Sequence, residues 1–222
     1  IPFNNSGTVG VHSGTLALGG GTHTGDFLIG SGATLTVGGF FATSSDITGL
    51  GNLNLIRATQ RGIVAMGGNV SLNGVTIEGD FSVAGDLTLN PPSNNDPGAS
   101  FNGTPATVGG AATVNGHMFG SGEVTIAGLL TWNLSTGQEI GGTGKTIANG
   151  GMHITGAGTA LLHGTRTIEN AGVAVFDGGT IHVSEGAVIR NLATGTFEIQ
   201  NDADITWGGG SPLFDNQGEF LK

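Results

Sequence analysis

The chain contains no cysteine, which excludes a disulfide framework and any thiolate-ligated metal site. Basic residues are also scarce: 6 Lys+Arg stand against 16 Asp+Glu, for a net charge of −10. A surface of that sign repels nucleic acid and anionic lipid, so neither is expected as a partner. No apolar run approaches the ~18 residues of a membrane-spanning helix, so no membrane insertion is expected. No stretch carries apolar residues at helical spacing for three turns, which argues against helices. The chain starts at Ile1 without a charged-then-apolar leader, the pattern expected of a processed product or a slice of something longer.

Glycine is what the chain has in excess: 45 of 222 residues, against a usual share of ~7 %. There is no every-third-residue period, so collagen is excluded. The remainder is rich in Val, Ile, Leu, Phe and Thr, which favour strands. The length suffices for one domain with a sizeable core.

One pattern recurs along the chain: an apolar residue, a variable one, Asn or Gly, another variable residue, Gly, then alternating apolar positions. It reads FNNSGTVGV from Phe3, LIGSGATLTV from about Leu28 and ITGLGNLNL from Ile47. Later copies start at Phe119, Ile147, Ile168, Ile189 and Phe214, and weaker ones include FSVAGDLTL from Phe81. From Ile147 to Ile168 and from Ile168 to Ile189 the interval is 21 residues. A unit of that length holds roughly three short strands with tight turns, given strands of about five residues. It cannot close its own core, but stacked copies can. Alternation, as in Thr34-Leu35-Thr36-Val37, puts one face inside and one in solvent. The expectation is an all-β chain: a parallel β-solenoid of about ten coils, rising ~4.8 Å per coil into a rod ~50 Å long.

Stacking the copies gives further expectations. Asn5, Asn149, Asn170, Asn191 and Asn216 share one slot and are expected to form an amide ladder along the axis. Glu169, Arg190 and Asp215 alternate in sign in the next slot, and Lys145 and Arg166 share another. The segment 90–105, with four of the six prolines, reads as an irregular loop, because Pro cannot donate to a sheet ladder.

The stretch GQEIGGTGKTIANGG, residues 137–151, contains a near match to a phosphate-binding loop. That motif needs Gly five residues before Gly144 and a helix after Thr146. Glu139 stands at the first position, and IANGGMHITGAG follows, too glycine-rich for a helix. Lys145 is therefore expected to be an outward residue at a coil corner, not a nucleotide ligand.

Other chemistry is thin. Asp202 and Asp204, in FEIQNDADITW, would share a solvent face with Glu198 and Gln200 if Phe197, Ile199, Ala203 and Ile205 point inward. Such a face suits Ca²⁺ or a glycosidic bond; its plainer reading is a solvated acidic surface. The histidines, His12, His23, His117, His153, His163 and His182, show no metalloprotease spacing. His23 reads as a turn or surface residue. Ser31, Ser121 and Ser184 sit in turn-like contexts without a nucleophile elbow. Thr-x-Thr triplets at 22–24, 34–36 and 165–167 do not recur in every coil, which argues against a continuous ice-binding face. Sequons at Asn4, Asn69, Asn102 and Asn133 matter only in a eukaryotic secretory host. No catalytic, cofactor-binding or metal-ligating residue is assigned, and no cofactor is expected.

FNNSGTVGVHSGTLALGGG, TIENAGVAVFDGG and VIRNLATGTFEIQNDADI resemble the Gly/Thr/Asn-rich strand repeats of bacterial surface proteins, the autotransporter passengers and filamentous-adhesin-like solenoids. The resemblance is one of style and repeat length over most of the chain, and it transfers no single residue. It implies a non-enzymatic stalk, adhesin or self-stacking fibre subunit, extracellular or at the cell surface. The expected domain is a single solenoid over 1–222 without a cap at either end. Its expected partners are further copies stacked head to tail, flanking repeats of the same parent chain, or surface glycans. The alternative is a polysaccharide lyase or hydrolase, or a glycan-binding module, on the same architecture.

Overall fold

The computed structural model describes residues 1–90 and 98–222. Among these residues every regular element is a strand, and the strands stack into a parallel β-solenoid. Each coil has three sides. The first face carries eleven strands, from Thr8–Val11 through Ile47–Gly49 and Lys145–Ala148 to Leu213–Asn216. The second face runs from Thr15–Ala17 through Leu130–Leu134 to Glu219–Leu221, and the third from Thr22–His23 through Gln138–Ile140 to Asp204–Gly210. Thr34–Phe41, Asn52–Gln60 and Val70–Ile77 bend from the second face onto the third without a break in the strand. Equivalent positions on neighbouring coils lie between 17 and 25 residues apart.

The sequence pattern sets the core directly. In Thr34–Phe41, Leu35, Val37 and Phe41 are fully buried while Thr34 and Thr36 face outward. Each coil repeats this from three sides, so Val, Leu, Ile and Phe stack upon their equivalents above and below. Each such side chain contributes about 1.5–3 kcal/mol by leaving water. Aromatic rings add edge-on contacts, as between Phe81 and Phe101 at 5.6 Å. The segment read as a loop at 90–105 contains a strand, Ala99–Phe101, paired to Val70–Ile77 and to Met118–Phe119. The rest of that reading falls largely on residues 91–97, which lie outside the described residues.

The corners are held by side-chain oxygens that reach the next coil. Asn52 Oδ1 accepts from the Asn69 amide at 2.9 Å, Asn69 Oδ1 from Asp86 at 2.9 Å, and Asp86 Oδ1 from Ala111 at 2.8 Å. Asp26 and Asp46 do the same at another corner. These bonds satisfy backbone donors that the turns leave without a ladder partner. Asx residues suit such places because they hydrogen-bond locally and tolerate turn geometry.

Candidate functional site

The GGTGKT stretch is a corner between the third-face strand Gln138–Ile140 and the first-face strand Lys145–Ala148. No helix follows. Gly142 has φ +95, and a Cβ there would collide with the carbonyl of Gly120. What the corner holds is Arg166 of the following coil. Its side chain is fully buried, with Nη1 donating to the carbonyls of Gly120 (3.2 Å) and Gly141 (3.3 Å). Nε and Nη2 donate to Thr146 Oγ1 at 3.3 and 3.1 Å. Burial pushes the guanidinium pKa down to about 10, so it stays a cation at neutral pH.

This cradle corrects the sequence-based register by one residue. Lys145 pairs with Thr167 and Thr146 with Ile168, so Lys145 and Arg166 do not share a slot and Ile147 faces outward opposite Glu169. Thr146 takes the inward position because its hydroxyl serves Arg166. Lys145 is half exposed, between Glu123 at 3.4 Å and Glu169 at 3.5 Å.

Two side-chain ladders run along the axis near the C-terminal end. Asn170 Nδ2 donates to Asn191 Oδ1 at 2.9 Å, and Asn191 Nδ2 to Asn216 Oδ1 at 2.8 Å. Asn149 does not join: the one-residue shift places Ala148 under Asn170. Asn5 instead donates to the Asp26 carbonyl at 3.0 Å. Beside the amides, Arg190 bonds Glu169 at 3.0 Å and Asp215 at 2.8 Å. Asp215 and Glu169 hold the Arg190 pKa up, and Arg190 holds Asp215 below the ordinary carboxylate value. The Arg190–Glu169 pair is the more enclosed of the two, since the Glu169 side chain is largely buried.

The amide ladder ends on an unpaired, buried Asn170 Oδ1 facing the Ala148 position. Ala148→Asn is expected to add one rung and raise stability by about 1 kcal/mol, read as a shift in urea midpoint without a change in m-value.

Asp202, in the corner turn, and Asp204, at the start of the next strand, are both exposed on either side of buried Ala203. Asn201 turns the chain with φ +54 between Thr196–Ile199 on the second face and Asp204–Gly210 on the third. Glu198 and Asp204 thus lie on different sides of the rod. Among the described residues no group of three or more His, Cys, Asp or Glu has metal-binding geometry.

His23 is not at the surface. It is fully buried, with its ring 4.5 Å from Phe41 and 5.2 Å from Phe27, and Nε2 lies 3.1 Å from the Gly38 carbonyl. His153 Nε2 meets Asp177 at 2.8 Å; bonds from His153 and Thr155 hold that carboxyl below its ordinary pKa. His163 lies 3.5 Å from Glu139, His182 Nδ1 is 2.5 Å from Thr206 Oγ1, and His117 Nδ1 accepts from the Glu139 amide at 3.1 Å. His12 is exposed. Ser31 and Ser121 are exposed at corners and Ser184 is buried.

The sequence reading missed the outward rows. On the second face Thr36, Asn54, Ser71, Thr88, Thr113 and Thr131 stand one above another. Two residues along each strand, Asn133 donates to Asn115 at 2.6 Å, and Asn90 to Ser71 at 2.8 Å in the neighbouring row. A search for Thr-x-Thr overlooks this array because Asn replaces the second Thr and the coil length varies. The signal was present as SLN, TLN, TVN and TWN.

On the third face one row reads Thr22, Phe40, Thr59, Thr76, Ser100 and Phe119. Arg61 Cζ lies 5.0 Å over the Phe40 ring and Arg61 Nε bonds Glu78 at 2.6 Å. Phe119 stacks on His117 with centroids 5.7 Å apart and meets His163 edge-on at 6.0 Å. No family model, curated protein or solved structure matches this chain.

Proposed function

We propose that this chain is a structural or adhesive element of a bacterial surface or matrix protein, working outside the cell as a stalk or self-stacking fibre subunit. The observation that supports this reading is axial continuity. Backbone ladders on three faces, the corner Asx bonds and the Asn170–Asn191–Asn216 ladder all run along the rod. Such a molecule spans distance and repeats its outward rows at every coil.

The polysaccharide-enzyme alternative rests on Asp202 and Asp204, both exposed just after the turn at Asn201. The test pairs electron microscopy across a concentration series with a polysaccharide-cleavage assay. Discrete rods or end-to-end filaments without sugar release agree with the proposal. Sugar release that disappears in a D202N/D204N chain overturns it.

A further inference from the structure

We propose that the third-face row from Phe40 to Phe119 is a binding strip for a linear, uncharged polysaccharide. This rests on the adhesive reading above and names its ligand class. The argument starts from two side chains in unusual places. The intervening coils carry Thr59, Thr76 and Ser100 at this position, small and hydrogen-bonding. Phe40 and Phe119 instead place large rings on the outward side, Phe40 36 % exposed and Phe119 partly buried. Outward rings lose the burial that normally recruits phenylalanine.

Spacing connects the two rings. They are separated by four rungs in unbroken register, or ~19 Å at ~4.8 Å per rung. That rung spacing is close to the advance of one pyranose ring along an extended glycan. A sugar ring presents a C–H face that packs on an aromatic ring and a hydroxyl rim that hydrogen-bonds. Two aromatic stations joined by a floor of hydroxyls match both surfaces, which is the usual mixture in ligand sites.

Both stations are held in place before any ligand arrives. Arg61 lies over Phe40 and is itself fixed by Glu78; Phe119 is braced by His117 and His163. Preorganised side chains lose less entropy on binding. Beside Phe40 a groove of about 360 Å³ opens among Gly39, Arg57, Thr59 and Gly74, where the two glycines keep the floor low.

Charge selects the class. No residue in the row is charged, the nearby Arg61–Glu78 pair neutralises itself, and Arg57 is the one charged residue lining the groove. The chain as a whole carries −10, which repels polyanions.

The experiment titrates the full chain with cellohexaose, laminarihexaose and maltohexaose, with hexagalacturonate as the anionic comparison. At least one neutral hexaose is expected to bind with Kd below about 1 mM, and F40A/F119A to weaken it about tenfold or more. L50A, at an exposed leucine in the corner after Ile47–Gly49, should leave binding unchanged. If F40A/F119A fails to fold, T59V/T76V removes only hydroxyls from the floor and is expected to weaken binding about threefold or more. The proposal is overturned by no neutral hexaose binding, by binding indifferent to these variants, or by binding of hexagalacturonate alone. Failure here leaves the stalk reading standing; hydrolysis of a bound hexaose removes both.

Discussion

Arg166→Ala is expected to destabilise the chain by about 3–5 kcal/mol, the largest effect of any single substitution considered. The guanidinium serves two carbonyls and one hydroxyl drawn from two preceding coils. Truncation leaves the Gly141 carbonyl and the Thr146 hydroxyl without this donor, each costing about 1–3 kcal/mol, and opens a cavity besides; the Gly120 carbonyl keeps the amides of Thr143 and Gly144. An opposing term exists: at neutral pH the cation is desolvated, with no carboxylate among its described partners. Removing a buried charge recovers part of that cost. Arg166→Met separates the two, because it fills the space and removes the charge but still strands the acceptors. Its expected loss is smaller, about 1–3 kcal/mol, and R166M/T146V should recover part of it by deleting the stranded hydroxyl. Urea unfolding measures all three; an Arg166→Met chain as stable as the parent would show that the cradle holds nothing together.

Asn191→Ala is the second large effect, at about 3 kcal/mol. Asn191 is fully buried and accepts from Asn170, and its Nδ2, with two hydrogens, lies within hydrogen-bond distance of the Gly195 carbonyl (3.1 Å), Asn216 Oδ1 (2.8 Å) and the Glu219 carbonyl (2.8 Å). The damage should be directional. In a solenoid each coil touches only its neighbours, so lost rungs fray the near end first. Hydrogen exchange is expected to speed up from about residue 192 onward while coils before Ile126 keep their protection. Uniform acceleration along the chain would contradict this nearest-neighbour picture.

How much of this was legible in the sequence depends on what each residue had to satisfy. Leu35 and Val37 alternate with threonines, and period-two burial follows wherever one side is dry. The rungs Asn170, Asn191 and Asn216 were legible because those coils keep nearly equal lengths and identical amides recur. The register at Thr146 was not, since an inward threonine makes sense only once Arg166 occupies the space beside it. His23 misled for a related reason: a histidine between threonines reads as polar, yet Phe27 and Phe41 enclose it. Glu198 and Asp204 were placed on one face because Asn201 carries no obvious break, although its φ of +54 turns the corner between them. The Phe40–Phe119 row stayed hidden because it depends on register across coils of unequal length. Repeat chemistry fixes which residues point outward; only the stacking decides which of them meet.

The central claim, a continuous rod built from coils in parallel register, is tested most directly by distances along one outward row. The absence of native cysteine lets spin labels be placed in pairs without background. Leu28, Thr48, Thr125 and Ile147 lie on one first-face row. Pulsed electron resonance on Thr48–Thr125, Thr48–Ile147 and Leu28–Ile147 spans four, five and six coils. The account predicts backbone separations of ~19, ~24 and ~29 Å, rising by ~4.8 Å per coil. Separations that stop rising with coil number, or that follow residue number instead, would contradict it.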